Sequence, residues 1–177
     1  MRELVLAHKE RGALGLARPL GEALAGAAEA AGGGEGAGVG GAPRTIHLVP
    51  MPSSRAATRA RGHDPTRRIA LAAAGALRRA GRVAQVVPVL RQRRGVVDQV
   101  GLSTRERRAN LDGALYLVTG GDALFSESGR VVIVDDVMTS GASLTEAARA
   151  LSGAGGVKDL TAVVVAAPPD SFEMNRN

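Results

Sequence analysis

The residues best suited to chemistry lie in one stretch, Val131-Val-Ile-Val-Asp135-Asp136-Val137-Met138-Thr139-Ser140-Gly141-Ala142-Ser143-Leu144. An apolar run, two adjacent carboxylates, a turn of small residues and the start of a helix follow in that order. In open parallel α/β sheets, ligands bind beyond the carboxyl ends of the strands. A turn of Thr139, Ser140, Gly141, Ala142 and Ser143 opening a helix offers free backbone N–H groups, a positive dipole end and three hydroxyls, which suits a phosphate monoester. Asp135 and Asp136 suit the complementary work: accepting hydrogen bonds from sugar hydroxyls, or holding Mg2+ and its waters. Helix capping by Thr139 or Ser140 needs only one such residue, not four polar groups behind a double carboxylate. No Gly-Lys-Ser/Thr follows the strand, so this is not a Walker-type loop, and one glycine is too few for a dinucleotide fingerprint.

The elements that must position this segment alternate. Leu4 to Ala30 reads as helix, with apolar residues recurring mainly every four positions and a break expected near Arg18, before Pro19. Ala31 to Pro43 holds seven glycines in thirteen positions and is expected to be a flexible surface loop. Thr45 to Val49 reads as a short strand running into Pro50-Met51-Pro52-Ser53-Ser54-Arg55, where two prolines forbid helix and force an extended segment or tight turn. Thr66 to Ala80 is a helix. Ala84 to Leu90 is strand-like, with Pro88 indicating an edge or strand end. Arg91 to Asn110 is polar and irregular, with a capping box from Ser103 to Glu106. Ala114 to Val118, Val131 to Val134 and Leu160 to Ala167 are strands, and Ser143 to Leu151 is a helix. Strands apolar on both faces, alternating with helices, predict an α/β fold: one domain with a mostly parallel sheet covered by helices on both faces.

Charge is unevenly spread over the 177 residues. Between Arg55 and Arg108 stand 14 arginines and three acids, a local +11, whereas the whole chain carries +6. The arginines need an anionic partner, form a solvated surface, or reflect the nucleotide composition behind an Ala/Gly/Arg-rich chain. Aromatics are only Tyr116, Phe125 and Phe172, so the stacking platforms that single-strand binders use are nearly absent. No apolar run approaches a membrane span and no charged-then-apolar leader opens the sequence. Zero cysteines exclude disulfides and thiolate zinc sites, which suits a cytoplasmic protein. His8, His47 and His63 have no metal-ligand spacing; His47 reads as a satisfied core or face residue, and His63 is the histidine near the proposed site.

Val131 to Leu144 resembles the phosphoribosyl-pyrophosphate (PRPP) signature of type I phosphoribosyltransferases. Leu48-Val-Pro50-Met-Pro52-Ser-Ser-Arg55, Arg59-Ala-Arg61-Gly62-His63, Gln99-x-x-Leu102-Ser103 and Glu106-Arg107-x-x-Asn110-x-x-Gly113-Ala114 are similar to the competence-associated ComF branch, as is Ala7-His-Lys9-Glu-Arg11-Gly12. The resemblance spans nearly the whole chain and implies a type I phosphoribosyltransferase-like domain over residues 1–177. It implies that Asp135 and Asp136 are catalytic and meet the ribose, that Val137 to Ser143 cradle the 5′-phosphate, and that Met51, Pro52, Ser53, Ser54 and Arg55 bind pyrophosphate. In that loop the backbone N–H groups of Met51, Ser53 and Ser54 and the Arg55 guanidinium are the expected donors. A hood over about 91–113 would bring Arg91, Arg93, Arg94 and Gln99 onto the pyrophosphate and exclude water. The implied cofactor is Mg2+, held by PRPP with help from Asp135 and Asp136.

Three departures qualify the resemblance. ComF-like proteins often carry an N-terminal cysteine-rich zinc ribbon, and this sequence begins after its place. The family's Arg-Gly-Phe-Asn-Gln is here Arg61-Gly62-His63-Asp64-Pro65. Thr139 stands where purine-salvage relatives often place an acid as general base, which argues against 6-oxopurine salvage. The expected activity is displacement of pyrophosphate at ribose C1 by a nitrogen acceptor. Alternatives are a non-catalytic PRPP- or nucleotide-binding regulatory protein, or a basic DNA-binding module. The expected partners are a phosphorylated sugar, DNA or the DNA-uptake machinery, and a second copy in a homodimer.

Overall fold

The computed structural model describes residues 1–32, 44–93, 113–125, 129–153 and 157–168, without the Arg55 side chain. Most of the glycine-rich stretch (33–43) and of the expected hood (94–112), including Arg94, Gln99 and the Ser103–Glu106 capping box, lie outside the described residues.

Helix α1 (Arg2–Glu10) ends before Gly12, whose φ of 65° is left-handed, and a 3-10 turn at Leu14–Leu16 leads into α2 (Ala17–Ala30). The first helix therefore ends earlier than expected, while the second starts at Ala17, close to the break expected near Arg18. Pro19 lies in the first turn of α2, where its missing N–H has no intrahelical partner to lose. Strand β1 (Ile46–Pro50) is followed by α3 (Arg55–Arg61), a helix too short for its periodicity to show. Ser54 caps α3 by accepting the Ala57 N–H at 3.1 Å, and Gly62 closes it at φ 72°. Asp64 caps α4 (Pro65–Arg79) by accepting the Arg67 N–H at 3.0 Å.

The Ala84–Leu90 segment divides rather than forming one strand. β2 (Ala84–Val86) stops before Pro88, and the chain then changes sheets. β3 (Leu90–Gln92) pairs antiparallel with β4 (Leu115–Leu117), so the foot of the expected hood, Arg91 and Gln92, is strand. β5 (Arg130–Val137), α5 (Ala142–Ser152) and β6 (Leu160–Ala166) complete the described elements. β5 was expected to stop before the acid pair; it runs through it.

The main sheet is parallel throughout, in the order β2-β1-β5-β6. The pleat sends Ile46, Leu48, Val132 and Val134 to one face, where they meet Val5 of α1, Leu20 and Leu24 of α2, and Ile69 and Leu77 of α4. Val49, Val131 and Ile133 go to the other face, against Ala147 and Leu151 of α5, Phe125, and Leu90 and Leu115 of the β3–β4 pair. Burial on both faces is why these strands read as unbroken apolar runs. Glu146, buried in α5, accepts the Leu115 N–H at 3.0 Å and pairs with Arg149, tying the β3–β4 pair to the sheet. Among the described residues, no helix is long and apolar enough to cross a membrane.

Candidate functional site

Chain direction creates a crevice at one place on the sheet edge. From β1 the chain passes through α3 and α4 to β2 on one side; from β5 it passes through α5 to β6 on the other. α4 packs on one face and α5 on the opposite one. The boundary between β1 and β5 is therefore a topological switch point, where the loops leaving neighbouring strands diverge. The register sets Pro50 beside Val134. Met51–Ser54 thus leaves the sheet beside Asp135, about 4.8 Å away at the root, while β5 runs on with β6 to Val137 before its turn.

The two acids divide their work. Asp136 follows the pleat to the α1 side and is 3% exposed; its Oδ2 lies 2.9 Å from the Lys9 ammonium. Its Oδ1 accepts the Val137 N–H at 2.8 Å. Asp135 follows the pleat toward the turn, and its Oδ1 accepts the Asp136 N–H at 2.8 Å. Burial and the adjacent Asp136 charge push the Asp135 carboxyl up to about 7, against a smaller opposing pull from Lys9. Near neutrality it therefore exists in both forms, able to accept or to donate a hydrogen bond. Asp136 is thus already paired with Lys9, whereas Asp135 lines the concavity at the turn. Among the described residues no group of three or more His, Cys, Asp or Glu could hold a metal.

Lys9 is the site residue that sequence reasoning left without a role. It is one of only two lysines, but nothing local marks it. Its neighbours bind too: His8, fully buried, lies with Nε2 3.4 Å from the Pro65 carbonyl and its ring 5.9 Å from that of His63, and Glu10 pairs with Arg61 at 3.3 Å. Three consecutive residues of α1 thereby join the acid pair to the α3–α4 connection. The buried Nε2 of His63 has no hydrogen-bond partner among the described residues. His47 is 1% exposed, packed edge-on against Phe125 and 2.9 Å from the Gln85 amide; burial lowers its pKa, as befits a neutral core imidazole.

The turn after β5 is open at its backbone. Gly141, at φ 71°, is the N-cap of α5 and brings no side chain to cap it, so neither Thr139 nor Ser140 plays the capping role. The first α5 N–H groups are left facing outward, as an anion cradle requires. Asp135, Met138, Thr139, Ser140 and Ser143 are among the residues lining a small concavity of about 20 Å³, so a phosphate would rest at its mouth. Ala142 is buried, and Val137 packs toward the α2–α4 side.

The loop after β1 is more committed than its sequence indicated. The Met51 N–H donates to the Val134 carbonyl at 2.8 Å and so is not free for an anion. Ser53 Oγ donates to Asp64 at 3.4 Å, Ser54 caps α3, and Arg55 opens that helix. Met51, Pro52 and Ser53 nevertheless line a cavity of about 510 Å³, and Arg91 reaches it from β3. Arg93 does not line it: its guanidinium lies over the Tyr116 ring, 5.7 Å from the centroid.

The sequence matches no protein-family model, and no curated protein matches it. In structure the chain is similar to the allosteric regulatory enzyme of purine biosynthesis, at 19% identity and a TM-score of 0.44 over 84% of this chain. The chain spans a quarter, 25%, of that protein's length. What the geometry establishes is an α/β domain with a parallel four-stranded sheet, a small concavity at the turn after β5 and a cavity of about 510 Å³ beside the loop after β1.

Proposed function

We propose that this chain binds PRPP and acts as a phosphoribosyltransferase of the ComF kind. The observation that carries the reading is the pairing of Pro50 with Val134, which sets the anion-suited turn and the Met51–Arg55 loop at one switch point. The 5′-phosphate would sit on the N–H groups and hydroxyls of Thr139 to Ser143, with the ribose hydroxyls at Asp135. Asp136, held by Lys9, positions the strand end rather than reaching for the ligand. Pyrophosphate would lie toward the Met51–Arg55 loop and Arg91.

The reaction would form a C1–N bond to a nitrogen acceptor while the C1–O bond breaks. Pyrophosphate leaves with the bonding pair, and the nitrogen gives up its proton to solvent. The chain's part is to hold ribose and leaving group in line and to place positive charge where pyrophosphate develops its own. Mg2+ would enter as a companion of the ligand's own phosphate oxygens, with help from Asp135 and Asp136. A link to DNA uptake rests on the ComF resemblance, not on this geometry.

Calorimetric titration with PRPP, with and without Mg2+, tests the site. Binding strengthened by Mg2+ and lost in the Asp135→Asn, Asp136→Asn double variant is expected; undiminished binding there refutes the assignment. Thr139 supplies no carboxylate at the turn, which favours a second reading in which the same cradle binds without turnover. Pyrophosphate release measured against a panel of bases and amines separates the two.

A further inference from the structure

Glu146 is a buried acid of α5 that lies outside the site described above, and its partners sit on two elements. Its Oε1 accepts the Leu115 N–H at 3.0 Å. Arg149, one turn further along α5, meets it as a fork, with Nε 2.6 Å from Oε2 and Nη2 2.7 Å from Oε1. The same Nη2 donates to the Leu115 carbonyl at 3.2 Å. One ion pair therefore takes both backbone groups of Leu115. Arg149, against the burial that opposes it, holds the Glu146 carboxyl below the ordinary carboxylate range, with help from the Leu115 N–H.

The position of Leu115 gives this clamp its reach. On one edge β4 bonds to β3: the Arg93 N–H donates to the Ala114 carbonyl and the Val118 N–H to the Val89 carbonyl, both at 2.9 Å. Backbone groups alternate in direction along a strand, so those of Leu115 face the other way, toward α5. β4 is thus held by β3 on one edge and by the ion pair on the other. Its register partner β3 carries Arg91, opposite Tyr116. The Arg91 guanidinium is pinned at the wall of the 510 Å³ cavity by the carbonyls of Pro88 at 2.7 Å and Leu90 at 2.9 Å. In the other direction, α5 opens at Gly141, little more than one helical turn before Glu146. Leu90, Leu115, Ala147 and Leu151 pack the two layers together, but apolar contact is non-directional and leaves them free to slide. The hydrogen bonds of the clamp fix the register.

We propose that the Glu146–Arg149 pair is a spacer, setting how far the turn that would hold the 5′-phosphate stands from Arg91, which would meet the pyrophosphate. Glu146 is thereby a positioning residue, acting through Leu115 and β4 without touching the ligand. Its role rests on the phosphoribosyl reading above. A ligand with one anion fills its own end and is indifferent to the spacing, whereas a ligand carrying both loses affinity with any misfit.

The test titrates the full chain, in the presence of Mg2+, with PRPP, ribose 5-phosphate and pyrophosphate in a calorimeter. Glu146→Gln matches the shape but gives up the charged fork to Arg149. In that variant PRPP is expected to bind at least about tenfold weaker, with ribose 5-phosphate and pyrophosphate each within about twofold of the parent. Arg149→Lys keeps the charge without the fork and should show a smaller loss of the same pattern; it carries the test if circular dichroism shows the Gln variant unfolded. PRPP affinity within about twofold of the parent in the folded variants overturns the proposal. So does an equal loss for all three ligands, which would make the pair a support of the fold. A parent that binds no PRPP overturns the phosphoribosyl reading and the spacer with it, whereas a parent that binds PRPP no better than folded Glu146→Gln removes the spacer alone.

Discussion

Replacing Asp135 with Asn is expected to stabilise the protein above neutrality. The carboxyl has an ordinary value of 3.8 and is pushed up to about 7 in the folded chain. Between those values the native state holds a proton that the unfolded chain has lost. Stability therefore falls as pH rises through that window, by about 1.4 kcal/mol per unit, and a few kcal/mol are forgone by pH 8. Asparagine has the same shape, and its Oδ1 keeps the bond from the Asp136 N–H. It carries no charge to bury beside Asp136. Thermal unfolding at about pH 8 should show the variant several degrees more stable than the parent, at about 2–4 °C per kcal/mol for a chain of this size. The gap should shrink steadily as pH falls and nearly close by about pH 4. A gap independent of pH, or a variant less stable at pH 8, would refute the account of Asp135 as a carboxylate opposed by burial and by its neighbour.

Lys9→Met should cost about 2 kcal/mol in urea unfolding, because the nearly inaccessible Asp136 carboxylate loses its counterion. Lys9→Arg should recover most of that, and a loss below about 0.5 kcal/mol for Met would show that Lys9 does not hold the acid. Gly141→Ala should destabilise by about 1 kcal/mol, since φ 71° strains any residue with a Cβ, and should weaken phosphate binding measured by calorimetry. Unaltered phosphate affinity would separate the turn from the ligand.

Much of the fold is legible in the sequence because its signals are local. Burial on both faces makes β1 and β5 largely apolar runs, and the period of α4 follows from its single buried stripe. The misreadings have local causes as well. Pro19 pointed to a second helix starting near Arg18, and α2 does start at Ala17, but the end of the first helix was set earlier, at Gly12. The seven-residue α3 is too short to show a period, and its signals were Ser54 before it and Gly62 after it. Pro88 marked a strand end beside an edge strand, as expected, but nothing local showed that β3 leaves for a different partner.

By itself the sequence placed the acids, the hydroxyls and the glycine together in fourteen positions, and their spacing is a matter of covalent geometry. It also pointed to a mostly parallel sheet, which the four-stranded sheet bears out while the β3–β4 pair is antiparallel. Only the tertiary structure decided that Pro50 sits beside Val134, that Lys9 reaches Asp136 across 127 residues, and that Arg59, Arg67 and Arg91 share one cavity. The physical reason is range. Periodicity, caps and turns act over a few residues, whereas strand order and helix docking are settled by which apolar faces bury one another. It is that choice which turned Asp136 toward a lysine and left Asp135 to titrate near neutrality.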